Sequence, residues 1–366
     1  MKKYFIFCLA FVLLACAAPA TEITPVEEFT APPVTAAATD VPTTMPEPRS
    51  FFTVFGDEPI VSKGNSGTWD DRYTDPGAVV FYDGVFHMFR NGFRGFPATS
   101  QVGYVTSSDG YTWTKQGDEP VFETKDVAYA KIAMYASSAL VEDDGTWVIY
   151  FYTWDSSSFP SSSVIGRATA TAPNGPWTAD ADPIFLPGAS GEWDEQQVLA
   201  PHVIKKTDGY VMYYSGTNRA GTQQIGMATS NDGIVWKKYN DPATNETPYL
   251  ESDPVLQPAE SGLWDGNWVH QPRVFETAQG WVMFYRGTKD ESEYSMALGL
   301  AISDDGIHWN RSALNPVFLP EEILKSKQFW FHSGVLVNDT YFILLEGDIN
   351  QKTQIYLATY EGEIAK

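Results

Sequence analysis

The chain has 366 residues, 14% of them aromatic, and a formal net charge of −22. This excess of negative charge repels nucleic acid and anionic surfaces, so neither is expected as a partner. The aromatic residues suit stacking on sugar rings, although strand-rich cores use the same residue types.

The N-terminus predicts an export signal over residues 1–15. Two lysines precede an apolar run, residues 4–15, which is too short to remain as a membrane-spanning helix. Leu13-Leu14-Ala15-Cys16 resembles a bacterial lipobox, which implies lipid attachment at Cys16. The alternative is a plain signal peptide with an incidental cysteine. We expect an exported protein that a lipid anchor holds on the extracytoplasmic side of a membrane.

Residues 16–50 are expected to be the lipidated cysteine and a disordered tether. The stretch is rich in Pro, Thr and Ala and has almost no aromatic residues, so it cannot bury enough apolar surface to offset its chain entropy. With Cys8 in the signal and Cys16 acylated, the folded domain has no thiol for a disulfide or a metal. The folded domain is predicted to span residues 51–366.

Within this domain one sequence unit recurs five times. A proline followed by apolar residues appears at intervals of 61 to 71 residues, at Pro59, Pro120, Pro183, Pro254 and Pro316. After each proline come two β-rich runs around a polar turn, the pattern of a hairpin, which begin at Val79, Leu140, Val203, Val274 and Val335. A third strand follows in every unit. Agreement of these signals in phase indicates a repeat architecture.

The units predict an all-β, five-bladed β-propeller of four-stranded blades, whose ring is closed by the N-terminal strand near Pro59. In three of the five units, the third strand leads into the turn motif S-x-D-G-x-x-W. The motif begins at Ser107, Ser230 and Ser303. This turn is similar to the Asp box of sialidase propellers, with one residue fewer between Asp and Gly, and its repetition favours a structural role. The one short helix candidate is residues 321–329.

The first strand of each blade should line the central channel, so unlike residues there are candidates for chemistry. The five stretches read TDPGAV, YASSAL, LAPHVI, HQPRVF and FHSGVL. Three of the five histidines, His202, His270 and His332, fall in them. Beside Asp75 they would form an acid/base or ligand set; the alternative is a structural, hydrogen-bonded role for each.

Asp75-Pro76 followed by AVVFYDGVFHMF is similar to the first-blade motif of family 43 glycoside hydrolases and of their five-bladed relatives in families 32, 62, 117 and 130. The resemblance covers most of residues 51–366 as architecture. It implies that Asp75 is the general base that activates water for inversion at the anomeric carbon. His332 matches a late histidine near a central metal ion, which implies a structural Ca²⁺ in the channel; no cofactor is expected to be required.

Two motifs depart from family 43. His202 stands where that family has a pKa-tuning aspartate, and His270 where it has the glutamate that is the general acid. Three alternatives for the proton donor therefore remain: His270, His202 or a displaced carboxylate. A histidine donor would resemble family 117, which uses a histidine acid. Displaced candidates are Glu346, at a position that other blades fill with Arg90, Ser215 or Arg286, and the acids of the SGxWD loops, such as Asp265. The repetition of those loops favours a structural role.

The candidate substrate-binding residues are Arg273, Trp268, Arg90, Glu346 and Asp265. Arg273, Arg90 and Arg286 would form an anion site, unless Arg90 and Arg286 pair with acids. We expect a monomer that binds a glycan or oligosaccharide and hydrolyses a glycosidic bond with inversion. The alternatives are a non-catalytic carbohydrate-binding lipoprotein and a family 130-like phosphorylase.

Overall fold

Each predicted hairpin forms the two inner strands of an antiparallel sheet in the computed structural model, which describes residues 51–95, 98–156, 161–289, 296–321, 330–348 and 352–364. Blade 1 contains β2 (Tyr73–Tyr82), β3 (Val85–Phe93), β4 (Gln101–Ser107), β5 (Thr114–Lys115) and, paired with β4, β6 (Phe122–Glu123). A 3-10 turn at Thr124–Asp126 leads to blade 2, which contains β7 (Ala133–Val141), β8 (Trp147–Trp154), β9 (Ile165–Ala170) and β10 (Thr178–Ala179).

Blade 3 contains β11 (Gln197–Lys206), β12 (Gly209–Thr217), β13 (Gln223–Ser230), β14 (Trp236–Lys238) and, paired with β13, β15 (Pro254–Leu256). Blade 4 contains β16 (Trp268–Thr277), β17 (Gly280–Thr288), β18 (Met296–Ser303) and β19 (Asn310–Arg311). Blade 5 contains β20 (His332–Val337), β21 (Thr340–Asp348), β22 (Thr353–Glu361) and β1 (Thr53–Val54). The predicted all-β propeller of five four-stranded blades is confirmed.

The ring closes between the two ends of the domain. β1 pairs antiparallel with β22, and Val61, just beyond Pro59, adds a single bridge to Ile355. Closure leaves fewer unpaired strand edges. The predicted signal, the tether with Cys16, and residues 322–329 of the predicted helix lie outside the described residues. In the described part of the chain, no helix has the length and hydropathy of a membrane span.

Tryptophans of the SGxWD loops pack against glycines of the second and third strands in three blades. A Cβ added to Gly216 would lie 2.3 Å from Trp193, and one added to Gly226 would lie 2.7 Å from it. Blades 1 and 4 repeat the arrangement with Trp69 on Gly92 and Gly103, and with Trp264 on Gly287 and Gly299. The glycines are therefore required because the indole occupies the space of a side chain.

The aspartate after each of these tryptophans pairs with a cation on the fourth strand of its own blade. The pairs are Asp70 with Lys115, Asp194 with Lys238, and Asp265 with Arg311, at 3.4, 2.6 and 2.7 Å. Asp265 is 1% exposed and also accepts a hydrogen bond from Tyr285 Oη at 2.8 Å. These contacts connect the inner and outer strands of a blade, which explains the repetition of the loop.

The S-x-D-G-x-x-W turns have the contacts expected of structural turns. Ser107 Oγ accepts from the N–H of Gly110 at 2.8 Å, and Asp109 Oδ1 accepts from the N–H groups of Tyr111 and Thr112. The same bonds recur in blades 3 and 4. Polar side chains thus satisfy the backbone donors of the turn.

The first strands of four blades contain a β-bulge where they enter the channel. The bulges follow Asp75 in β2, Ala136 in β7, Leu199 in β11 and His270 in β16. Ala200 and Gln271 occupy the same place in two of them, each with φ of 52°. A bulge re-aims the neighbouring side chains, so side-chain directions before and after it differ from those of a regular strand.

Candidate active site

A depression of about 470 Å³ is lined by residues from all five blades, and it therefore lies over the axis of the ring. Strand register explains which side chains reach it. One residue near the start of each blade's first strand lines the depression. From blade 1 to blade 5 these residues are Asp75, Tyr135, Leu199, His270 and Phe331, the last of which directly precedes β20. Opposite them on the second strands are Asn91, Tyr152, Ser215, Arg286 and Glu346.

This register corrects the sequence comparison for blade 1 by one residue. Asn91, not Arg90, is the equivalent of Ser215, Arg286 and Glu346. Because side chains alternate between faces, the shift turns Arg90 to the other side of β3. There its guanidinium pairs with Asp70 at 2.8 Å and lies over the Trp69 ring, and Arg90 does not line the depression.

Glu346 is a buried carboxyl group at the blade 5 side of the depression, 2% exposed. Its Oε2 accepts hydrogen bonds from the backbone N–H groups of Trp330 and Phe331 at 3.0 and 2.8 Å. Burial raises the pKa of Glu346 well above its ordinary value, and the charge of Asp75 raises it further, against the opposing effect of Arg286. Burial and the neighbouring charge of Asp75 thus both favour the protonated form of Glu346.

Asp75 lies on the blade 1 side of the same depression and is 1% exposed. Its Oδ1 accepts a short hydrogen bond from Thr353 Oγ1, the first residue of β22. Thr353 Oγ1 in turn accepts from the backbone N–H of Thr74 at 3.0 Å. The Asp75 carboxyl group is therefore oriented by a residue of blade 5, the neighbouring blade at the point where the ring closes.

His270 lines the depression as a hydrogen-bond acceptor. It is 3% exposed, and its Nε2 accepts from Arg286 Nε. Burial lowers the pKa of His270 well below its ordinary value, and the charge of Arg286 and the proximity of His332 lower it further. The ring is therefore neutral at physiological pH. Trp268 also lines the depression, with its ring edge-to-face to His270 at 6.3 Å.

The other two histidines, His202 and His332, are not among the residues that line the depression. His202 Nδ1 accepts from the N–H of Val274 at 3.2 Å, and burial together with Arg273 lowers its pKa to about 3. His332 is 1% exposed, and burial, then Arg273 and Arg286, lower its pKa well below the ordinary value.

Arg273 is buried, 3% exposed, and is not among the residues that line the depression. Its guanidinium donates to Pro272 O at 2.7 Å and to Ser137 Oγ at 3.2 Å, and burial lowers its pKa to about 10. The surroundings of His332 do not fit a calcium ion, because two guanidinium groups act on that imidazole and would repel a cation. Among the described residues, no cluster of three or more His, Cys, Asp or Glu is placed to hold a metal.

Aromatic side chains make up much of the wall of the depression. Those that the sequence did not single out are Tyr73, Phe93, Tyr135, Tyr152, Trp154 and Trp330. Tyr135 and Tyr152 stack at 5.3 Å, and burial raises the pKa of both phenols, so they are neutral. In sequence they look like core residues of blade 2; only alignment by hairpin register would have placed them beside Asp75 and Glu346.

The chain forms a closed five-bladed propeller, and two buried carboxyl groups line the depression over its axis. The sequence profile of the glycosyl hydrolases family 32 N-terminal domain matches residues 70–255, half of the chain, and the chain belongs to this family. No curated protein sequence matches it.

Solved structures share the fold at low sequence identity. A glycosyl hydrolase from Bacteroides ovatus is 19% identical with a TM-score of 0.65, over 85% of this chain and 93% of that one. A structure from work on GH130 mannoside phosphorylases, a family that contains hydrolases of β-1,2-mannosidic linkages in Candida mannan, has the same identity and coverage and a TM-score of 0.64. A β-1,2-mannobiose phosphorylase from Listeria innocua is 13% identical with a TM-score of 0.59, over 85% and 96% of the two chains.

Proposed function

We propose that the protein cleaves a glycosidic bond in a glycan or oligosaccharide, with Glu346 as proton donor and Asp75 as the carboxylate at the anomeric carbon. One observation carries the proposal: two buried carboxyl groups, Asp75 and Glu346, line a single depression. Burial and the charge of Asp75 both raise the pKa of Glu346, which favours its role as the acid. Glycoside hydrolysis requires such a pair in unequal protonation states. The glycosidase fold and the family support a carbohydrate as the substrate.

In this mechanism the Glu346 carboxyl proton passes to the glycosidic oxygen as the bond from that oxygen to the anomeric carbon breaks. Asp75 accepts a proton from the water that attacks the anomeric carbon. The products are an alcohol and a free sugar, and solvent returns both carboxyl groups to their starting states. The resemblance of the Asp75 motif to family 43 supports inversion, in which water attacks the opposite face of the ring.

The contacts favour Glu346 over His270 and His202 as the donor. A neutral imidazole whose Nε2 accepts from Arg286 has no proton at that atom to give. The pKa of His202 is lowered to about 3, and His202 does not line the depression. His270 instead holds Arg286, whose guanidinium also donates to Trp330 O and thereby fixes the segment that donates to Glu346.

Turnover on a panel of p-nitrophenyl glycosides and oligosaccharides, with and without phosphate, tests the proposal. We expect hydrolysis by the wild type and a loss of about 10²- to 10⁴-fold in kcat for Asp75→Asn and for Glu346→Gln. Glu246→Gln, at an exposed acid, is the matched control and should not change kcat. Full activity in either active-site variant contradicts the mechanism. Turnover that requires phosphate would indicate a phosphorylase, and proton NMR of the first product reports inversion or retention.

We also propose that Cys16 carries a lipid that anchors the protein outside the cytoplasm, and that the domain acts as a monomer. The support is the lipobox-like Leu13-Leu14-Ala15-Cys16 after a short apolar run. Metabolic labelling with palmitate should mark the wild type and not Cys16→Ala. Labelling of both proteins, or of neither, contradicts the anchor. Light scattering of the purified domain reports its oligomeric state.

A further inference from the structure

Gln271 occupies a backbone position that its side chain does not explain. It lies in the bulge of β16 with φ of 52°, in the left-handed region that glycine favours, and its N–H donates to Ser215 Oγ at 2.8 Å. The side chain lines the depression next to His270 and is 4% exposed. Its Oε1 is buried and has no hydrogen-bond partner among the described residues.

Blade 3 shows what this position needs for folding. Ala200 occupies the same place in the bulge of β11, with the same φ of 52°. A methyl group is therefore sufficient for the backbone there. Burying an amide oxygen without a partner costs about 1–3 kcal/mol, so stability does not account for the carboxamide of Gln271. A ligand in the depression would supply the missing partner.

Two further side chains that line the depression also have a buried polar atom without a hydrogen-bond partner among the described residues. Gln223, at the start of β13, has a buried Oε1 without a partner in the described chain, and Trp154, at the end of β8, has a buried Nε1 without one. The two carboxyl groups thus come from blades 1 and 5, and these three unpaired, uncharged groups come from blades 2 to 4.

We propose that Gln271, with Gln223 and Trp154, forms a subsite that binds the hydroxyl groups of an uncharged sugar ring. Amide oxygens accept from hydroxyls and the indole N–H donates to them, while none of the three offers a charge for a carboxylate. Arg286, the one cation among the described lining residues, is already held by His270 and Trp330 O. The inference rests on the proposed function for the reacting bond and adds the class of sugar beside it.

Binding and turnover test the subsite separately. Calorimetric titration of the purified protein with D-mannose, D-glucose, D-galactose, D-glucuronate and D-galacturonate gives affinities that do not depend on catalysis. We expect an uncharged sugar to bind best, and Gln271→Ala to weaken it about 10- to 100-fold. The melting temperature should not fall, because the variant removes the unpaired amide oxygen and leaves the methyl group that Ala200 has in the equivalent bulge. Gln279→Ala, at an exposed glutamine of the same blade, is the control and should bind like the wild type.

Three results would overturn the subsite: equal affinity in Gln271→Ala, tighter binding of a uronate than of every uncharged sugar, or no binding by the whole panel. Failure of the proposed function looks different. If the wild type cleaves no glycoside but binds an uncharged sugar through Gln271, the subsite stands and the catalytic proposal falls. If glycosides are cleaved with the same kcat/KM by wild type and Gln271→Ala, the catalytic proposal stands and the subsite falls.

Discussion

Asp75 and Glu346 face one depression from the first and the last blade, and the charge of Asp75 raises the pKa of Glu346. The two blades meet where the ring closes, since Thr353 of β22 donates to Asp75 and β22 also pairs with β1. Closure of the propeller therefore does more than cover strand edges. It brings together two carboxyl groups that lie near opposite ends of the folded domain.

The first prediction is that activity falls as pH rises through the elevated pKa of Glu346. The donor must be protonated, so the active fraction decreases above the pKa of Glu346, and it decreases again at low pH, where the base Asp75 becomes protonated. A pH profile of kcat/KM for the wild type should show this alkaline limb. In Glu346→Gln the limb should disappear together with most of the activity. An unchanged alkaline limb in the residual activity of the variant would assign it to another group.

The second prediction concerns stability. The pKa of Glu346 is higher in the folded protein than the ordinary value of 4.5, so between the two values the folded state binds more protons than the unfolded one. Its contribution to stability is therefore fully present below pH 4.5 and is lost as pH rises through the folded pKa. Glu346→Gln should be more stable relative to wild type at pH 8 than at pH 5. Urea unfolding at both values measures this, with Glu246→Gln showing no such difference.

A third prediction separates His270 from Glu346. Arg286 lowers the pKa of Glu346, so Arg286→Met should move the alkaline limb to higher pH. His270→Gln keeps an acceptor for Arg286 and should leave the limb nearly in place. If the imidazole itself were the proton donor, His270→Gln would abolish the limb. Comparison of the two pH profiles decides between these outcomes.

The fold was predictable from sequence because its signals are local. Hairpin turns, Asp-Gly turns and SGxWD loops each act within one blade, and their common period reports the ring. The site was harder, because it depends on register and bulges. Arg90 was misplaced by one residue, which reversed its face. His202 follows the bulge of β11, whereas His270 precedes the bulge of β16, so the two histidines are not at equivalent positions. Glu346 could be identified from the sequence because the other blades have no acidic residue at the equivalent position. Tyr135 could not, because its sequence surroundings are those of a residue in the hydrophobic core.

The fourth prediction tests the tryptophan packing in blade 3. In Gly216→Ala the new Cβ would lie 2.3 Å from Trp193 Cζ3, with Gly226 already used to accommodate the same ring. We expect a loss of about 1–3 kcal/mol in the free energy of unfolding from this overpacking. Gly334→Ala is the control, because its Cβ would meet no atom closer than Ile343 Cδ1 at 3.0 Å, with Phe342 O at 3.2 Å and Phe275 Cζ at 3.3 Å, so the neighbours need to move much less. Equal losses in the two variants would show that the indole is not the cause.

The fifth prediction concerns the buried ion pair of the same loop. Lys238 Nζ lies 2.6 Å from Asp194 Oδ2, and the Asp194 side chain is fully buried. Lys238→Met leaves that carboxylate without its cation, and among the described residues the Tyr214 hydroxyl at 3.1 Å is the donor that remains to Oδ2. Breaking such a pair costs about 3 kcal/mol, whereas an exposed pair is worth less than about 1 kcal/mol.

Lys125→Met, which removes the exposed partner of Glu123, is the matched control. Urea unfolding should show a large loss for the first variant and almost none for the second, and Asp194→Asn should restore much of the stability of Lys238→Met, because it removes the unpaired charge.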